Sequence, residues 1–539
     1  MTSPLVLCVL APAVAAVLAM LAPSRAARWL ALLASALPLL VGTRALLDFA
    51  RHPGADFRMQ ASVEWSREFG AAFTVGVDGF GAAMLALTGL VVAIATILAW
   101  KEQRHPRAYH ALVMLLLSST CGVFVSLDLL AFYVAWEVML APMLVLIGIW
   151  GGEQRRYAAL KFFAFTLAGS LAMLALLIAL WQSTPAEGRA VEVDAATVTA
   201  YSTDGGRSIH GLTLSAPTDS GTRTTTVPRD FDIRHLALQW RAFETGGGLS
   251  LAALGFLAVL LASLVKLPAV PLHTWLPHAH VQAPTAISVL LAGILLKLGV
   301  FGLHRLAWPL FPAQVAAHAV ALGVIGVIGI LWGAWVALGQ GDLKRLVAYS
   351  SVSHMGFALL GFAALTGSGL IGGSVQAVTH GLSSSLAFLL VGVVYDRAHH
   401  RRIDGFGGLA RPMPRFAWLL LIAALAGAGL PATAGFVGEF LVLCGGFTGG
   451  GSFPVLAAIA TLAVIVGAAY LLWMVKRVVY GPLRHEQHAR FSDCDARELT
   501  AALPLVALIV ALGVWPSPLV DALRPSAEYL AEHVRSALR

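Results

Sequence analysis

The chain is poor in the residues on which most redox and metal chemistry is built. Its four cysteines, Cys8, Cys121, Cys444 and Cys494, are scattered, with no paired spacing that could hold zinc or an iron–sulfur cluster. It shows no glycine loop of phosphate-cradling spacing and none of the aligned histidine pairs that hold haem between helices. No cofactor is expected in this chain, and any electron transfer coupled to it must run through another. Charge is scarce as well. Only 12% of residues are Asp, Glu, Lys or Arg against 58% hydrophobic, which excludes an ordinary soluble globule.

Long apolar runs stand in their place. Fourteen stretches, at roughly 4–22, 27–47, 79–99, 109–126, 128–150, 159–181, 249–271, 284–306, 315–338, 344–365, 370–395, 416–443, 454–476 and 499–520, approach or exceed the roughly 20 residues a helix needs to cross a bilayer. Numbered spans 1 to 14 in chain order, they predict an all-α polytopic membrane protein with a lipid bilayer as its surroundings. Span 1 has no basic segment ahead of its apolar core and thirteen spans follow it, so it reads as a retained helix rather than a secretory signal.

The net charge of +8 could suggest nucleic acid, but its placement reads as topology instead, and no nucleic acid is expected as a partner. Arg25 and Arg28 follow span 1, Lys101, Arg104 and Arg107 span 3, Arg155, Arg156 and Lys161 span 5, and Lys344 with Arg345 span 9. Arg397, Arg401, Arg402, Arg411 and Arg415 follow span 11, and Lys476, Arg477, Arg484, Arg490 and Arg497 follow span 13. The short connections after spans 4, 10 and 12 carry no Lys or Arg. The basic side is therefore expected to be cytoplasmic, with both termini outward.

Four regions follow: spans 1–3 at 1–108, a first half of spans 4–8 at 109–306, a second half of spans 9–12 at 307–453 with span 13 after it, and a C-terminal region at 454–539. Within the first half, 182–247 is rich in Thr, Ser, Gly and Asp and contains alternating stretches such as Ala190-Val191-Glu192-Val193. It predicts a small β-rich excursion on the outward side, with too few apolar residues for a core of its own.

Against this background a few ionisable residues fall inside the spans: Glu137, Lys266, Lys297 and Glu439. A charge at the centre of a membrane helix costs roughly 2.5–3.5 kcal/mol by insertion scales, so such residues usually face a bundle interior and mark an ion path. A bland reading of Glu137 remains open, in which a hydroxyl satisfies it or it is held protonated for packing. Lys266 is followed by Pro268, which removes a backbone donor and breaks span 7 inside the membrane. Leu430-Pro431-Ala432 in span 12 matches Leu267-Pro268-Ala269, and paired Pro-broken spans predict two inverted repeats with discontinuous spans 7 and 12. His273, His278 and His280 stand beside prolines in a connecting segment and are not read as a metal site.

The run from Pro271 to Ala286, Pro-Leu-His-Thr-Trp-Leu-Pro-His-Ala-His-Val-Gln-Ala-Pro-Thr-Ala, followed by Leu296-Lys297-Leu298-Gly299, resembles the proton-translocating membrane subunits of complex I, the NADH:quinone oxidoreductase. The same family includes subunits of Mrp-type cation/proton antiporters and membrane-bound hydrogenases. The resemblance extends from Gly76-Val77-Asp78-Gly79 to span 13, taking in the run from Asp342 to Gly356 and His380-Gly381-Leu382-Ser383. Gly435-Phe436-Val437-Gly438-Glu439-Phe440 places a carboxylate where the L and N siblings generally have lysine, so the likeness is to the M branch.

The resemblance implies roles, residue by residue. Glu137 and Lys266 would be a coupling pair, Lys297 the central relay and Glu439 the terminal site, with His354 and His380 joining the centre to the far half. It implies a proton-pumping subunit in a bacterial inner membrane, with L-like and N-like siblings as partners and with flavin, iron–sulfur clusters and quinone held by other subunits. His278 departs from the pattern, because the family commonly has aspartate there, which puts any loop contact of that carboxylate in doubt. An Mrp-type or hydrogenase subunit is the alternative within transport. A structural scaffold whose buried charges only register helix packing is the alternative outside it.

Overall fold

The computed structural model describes residues 3–66, 68–193, 208–209, 212–213, 215, 223–244 and 250–537. Among these, twelve helices are long and apolar enough to cross a membrane. Two further crossings are made of paired shorter helices, Leu251–Lys266 followed by Trp275–Gln282, and Pro414–Gly427 followed by Ala434–Phe447. The fourteen expected spans are thus present, and spans 7 and 12 are the discontinuous ones.

The breaks have local causes. Pro268 has no N–H to continue the first helix, and the Ala269 N–H instead reaches back five residues to Leu264 O at 2.9 Å. In span 12 the chain turns at Gly429, whose φ of +69° a glycine adopts without the penalty of a Cβ, and the Leu430 N–H reaches back to Leu425 O at 3.1 Å. Both breaks therefore close with the same five-residue backbone bond. Span 5 is interrupted more gently at Met139, three residues before Pro142, which withdraws a donor from the preceding turn.

Span 8 is the centre of the bundle, and every residue from Ala286 to Phe311 is buried. It is continuous over Thr285–Leu310 but holds two π-helical turns, Leu291–Leu295 and Leu303–Ala307, on either side of the α-helical stretch that carries Lys297. Such turns shift the backbone pairing by a residue and are frequent at functional sites.

One face of the bundle carries the basic loops; the opposite face carries β structure and is called here the hairpin face. Strands β1 (Arg58–Ser66) and β2 (Ala71–Val77) pair antiparallel after span 2. In the polar insert, β3 (Arg189–Val193) pairs antiparallel with β6 (Arg223–Val227), setting Ala190, Val191 and Glu192 opposite Thr226, Thr225 and Thr224. Two-residue strands β4 (Ser208–Ile209) and β5 (Leu212–Thr213) also pair. The rest of the expected β-rich excursion between 194 and 222 lies outside the described residues. After β6 the insert turns helical at Ile233–Leu238, and Arg234 bonds both Asp232 and Gln60 of the hairpin.

One element differs from the sequence expectation. Span 14 ends at Val514 rather than near 520, and a separate helix, Ser517–Ser536, follows. Asp521, Arg524, Glu528 and Glu532 mask it in a hydropathy reading. Its buried face, with Leu519, Leu523, Leu530 and Val534, packs along spans 2, 3 and 11, so tightly that a Cβ on Gly79 would run into the Ala522 carbonyl.

Candidate proton path

Lys297 is fully buried, and its ammonium donates to the Ala292 carbonyl in the first π-helical turn and to His380 Nδ1 at 2.7 Å. The His380 ring lies 5.4 Å from that of His354, and His354 Nδ1 is 3.0 Å from Glu439 Oε1. Four residues from spans 8, 11, 10 and 12, distant in sequence, therefore form one chain through the protein interior. A cavity of about 20 Å³ beside the two histidines, lined by Ser350, Ser383 and Ser384, has room for a water. Glu439 faces the break in span 12, and a Cβ on Gly429 would fall 2.6 Å from its Oε2.

Glu137 and Lys266 form a second group. The interruption at Met139 leaves the Trp136 carbonyl to accept from Lys266 Nζ at 3.1 Å, and the ammonium rests 3.8 Å from the Trp136 ring centroid. Among the described residues Glu137 and Lys266 form no direct ion pair, although each feels the other's charge, and Ser170 lies beside the Glu137 carboxylate. Lys266 reaches the centre through backbone contact. A Cβ on Gly299 would meet Leu267 N and Ser263 O, each at 2.5 Å, so glycine there lets the end of the first half of span 7 lie against the turn after Lys297.

Buried ionisable groups beyond the six appear as well. Lys344, counted above only as a loop charge, is buried at the start of span 10 and donates to Ala283 O at 2.5 Å. His280 is fully buried, stacked 4.2 Å from Phe388, and among the described residues neither ring nitrogen has a hydrogen-bond partner. On the hairpin face, Asp78 accepts from His304 Nε2 at 2.8 Å and from Arg305 at 3.0 Å. Burial opposes its charge, yet Arg305 and His304 hold the Asp78 carboxyl well below the usual carboxylate range. Sequence offered a signal for each: Asp78, Lys344 and His280 all fall in the quoted motifs.

His278 Nδ1, where the family pattern has a carboxylate, sits 3.4 Å from Lys161 Nζ and 2.9 Å from Thr274 O. Among the described residues no group of three or more His, Cys, Asp or Glu is placed to hold a metal ion.

Comparison with known proteins identifies the family. The family model described as NADH:quinone oxidoreductase/Mrp antiporter, TM, matches residues 126–201 and 230–465. NADH-quinone oxidoreductase subunit M of Rhodobacter capsulatus is 37% identical over 518 residues, covering 96% of this chain and 93% of that protein. A chain in the structure of respiratory complex I from Thermus thermophilus with bound NADH superposes with a TM-score of 0.80 at 30% identity, covering 98% of this chain and 99% of that one. A chain of the Mrp complex from Dietzia sp. DQ12-45-1b, at 19% identity and a TM-score of 0.79 over the full length of both, shares the fold. The polytopic helical bundle, its two broken spans and these matches make the chain a member of the NADH:quinone oxidoreductase/Mrp antiporter membrane family.

Proposed function

We propose that this chain is the M-type proton-pumping membrane subunit of a respiratory NADH:quinone oxidoreductase. The observation that carries the reading is the buried chain Lys297–His380–His354–Glu439, with the Glu137–Lys266 group at its near end. L-like and N-like siblings are its partners in the membrane arm, and the flavin, iron–sulfur clusters and quinone chemistry belong to other subunits. The basic face is cytoplasmic in the bacterial inner membrane, so both termini and the hairpin face are periplasmic. Regions 109–306 and 307–453, with span 13, act as two inverted halves.

The mechanism is electrostatic. Lys266 is buried with a π face and a carbonyl as its immediate partners, so the Glu137 carboxylate is the charge that compensates its ammonium. Neutralising Glu137 or moving it away leaves an uncompensated buried cation, a costly state that is relieved by passing the proton toward Lys297. From there His380 and His354 relay it to Glu439. Each histidine takes a proton on one ring nitrogen and gives one up from the other.

The M reading is favoured over an Mrp-type subunit by Glu439, where the lysine of the L and N siblings is absent. The test is NADH-driven proton uptake in inverted membrane vesicles, comparing the native complex with Glu137→Gln and Lys297→Met after native gels confirm assembly. Uptake and quinone-linked NADH oxidation are expected to fall together, at least about fivefold. If both persist while the sodium tolerance of the cells drops, the antiporter reading replaces this one; if nothing changes, the residues serve packing alone.

A further inference from the structure

The proposed axis gives protons a route through the interior but no way out, and the hairpin face holds a buried polar group that the axis does not use. Lys297, Phe301 and His304 stand at i, i+4 and i+7, one stripe of span 8, with about 10 Å of rise from the lysine to the histidine. The second π-helical turn, Leu303–Ala307, begins just before His304. The ring meets Phe80, at 5.1 Å, and Phe362, at 6.2 Å, edge-on, and Phe301 stacks on it at 6.2 Å.

His304 has two distinct sides. Its Nε2 lies 2.8 Å from Asp78 Oδ2, while its Nδ1 is buried and, among the described residues, has no hydrogen-bond partner. Asp78 in turn is fixed by the Gly81 N–H at 2.7 Å, as N-cap of span 3, and by Arg305 at 3.0 Å. An ionised carboxylate can only accept, so the neutral imidazole carries its proton on Nε2 and presents Nδ1 as a base. His304 also lines a cavity of about 30 Å³ on the hairpin face, together with Phe57, Arg234, Arg305, Ser526 and Tyr529. That volume admits one or two waters, and the Ser526 hydroxyl on its wall, like Nδ1, has no hydrogen-bond partner among the described residues.

We propose that His304, oriented by Asp78, is the group through which protons leave the buried axis on the hairpin face. This rests on the proposed pumping function. Lys297 is then a branch point: its proton passes along His380 and His354 to Glu439 or, when water enters past Phe301, to His304 Nδ1, and the imidazolium so formed is compensated by the Asp78 carboxylate. It is then given up from Nδ1 to water in the cavity, restoring the neutral tautomer, so that no net charge stays behind. Arg234 and Arg305 on the cavity wall repel the released hydronium and bias it outward. Asp78 is a positioning residue in this scheme; His304 is the one that binds the proton.

The test uses the assembled complex in inverted vesicles, with NADH oxidation by a small artificial acceptor as the measure of complex present. His304→Gln keeps a side-chain N–H for Asp78 but cannot be protonated. It is expected to lower NADH-driven proton uptake and quinone-linked oxidation at least about fivefold and to raise the D₂O isotope effect on uptake. Native uptake in His304→Gln overturns the proposal even where Lys297→Met is inactive, whereas native uptake in Lys297→Met overturns the axis itself. A slowed His304→Gln complex with an unchanged isotope effect also overturns it, since that is the signature of disturbed packing. If His304→Gln does not assemble, Ser526→Ala decides: an uptake about halved supports release through this cavity, and native uptake refutes it.

Discussion

At the scale of single residues the axis is a set of charges, each held by a partner of a different kind. Lys297 has a carbonyl and an imidazole, Glu439 an imidazole, and Lys266 a carbonyl and the face of an indole. The indole is the partner that substitution can vary without adding or removing a formal charge. A cation over an aromatic face gains about 0.5–2 kcal/mol, more as water is excluded. Trp136→Leu is therefore expected to cut NADH-driven proton uptake about fivefold or more, while Trp136→Phe, which retains a π face, keeps most of it; equal loss in both variants would show that the ring only fills space. Sequence exposed Lys297 and Glu439 because an ionisable residue in an apolar run stands out. It could not show that the Trp136 ring lies against Lys266, since a Trp in a membrane span looks like ordinary core. Nor could it show His304 as anything but a polar residue near a span end, because its role depends on an aspartate 226 positions away.

At the scale of elements the breaks in spans 7 and 12 were legible as Leu-Pro-Ala, because proline acts on the backbone wherever it falls. The π-helical turns of span 8 were not, since neither Leu-Ala-Gly-Ile-Leu nor Leu-His-Arg-Leu-Ala holds a proline or other residue that would interrupt an α-helix. The helix at Ser517–Ser536 was hidden for the opposite reason, its charged face lowering the average that a hydropathy reading uses. The two breaks also differ in what they guard. Gly429 takes φ +69° directly against the Glu439 carboxylate. Gly429→Ala adds strain of roughly 1 kcal/mol or more at a left-handed position, and its methyl must displace Oε2. Proton uptake is expected to fall severalfold in assembled Gly429→Ala complex, with a smaller effect on the amount assembled by native gel. Uptake that falls only in proportion to the amount assembled would mean that the turn is structural alone.

For the whole molecule, composition and run length sufficed to give the bundle, because a bilayer leaves few architectures available. The hairpin face was far less legible. β1 and β2 lie in the connection between spans 2 and 3, where no long apolar run marks them, and their contacts are long-range: Trp181 of span 6 donates from Nε1 to Phe69 O in the hairpin turn, and Arg229 of the insert lies over the Trp181 ring at 3.6 Å. The helix Ser517–Ser536 joins that face to the bundle, with His533 reaching the Pro309 carbonyl at 3.2 Å and its apolar stripe covering spans 2, 3 and 11. Truncation after Val514 exposes that stripe's counterpart and is expected to abolish accumulation of the assembled complex, read on native gels; normal assembly of the truncated chain would show that the helix is dispensable.

Lys297, His380 and His354 each lie near the middle of their own crossing helix, and Glu439 meets His354 from the second half of span 12, so the chain they form runs across the bundle rather than along its helices. A charge moving along it travels at nearly constant electrical potential and does almost no work against the respiratory voltage. The cost, about 2.3 kcal/mol per elementary charge for each 100 mV, falls on the steps that run along the membrane normal. In the proposed scheme span 8, buried along nearly its whole length, is where the lateral and vertical directions meet: a proton leaving Lys297 toward His304 turns from an electrically neutral path onto one that the stored voltage opposes.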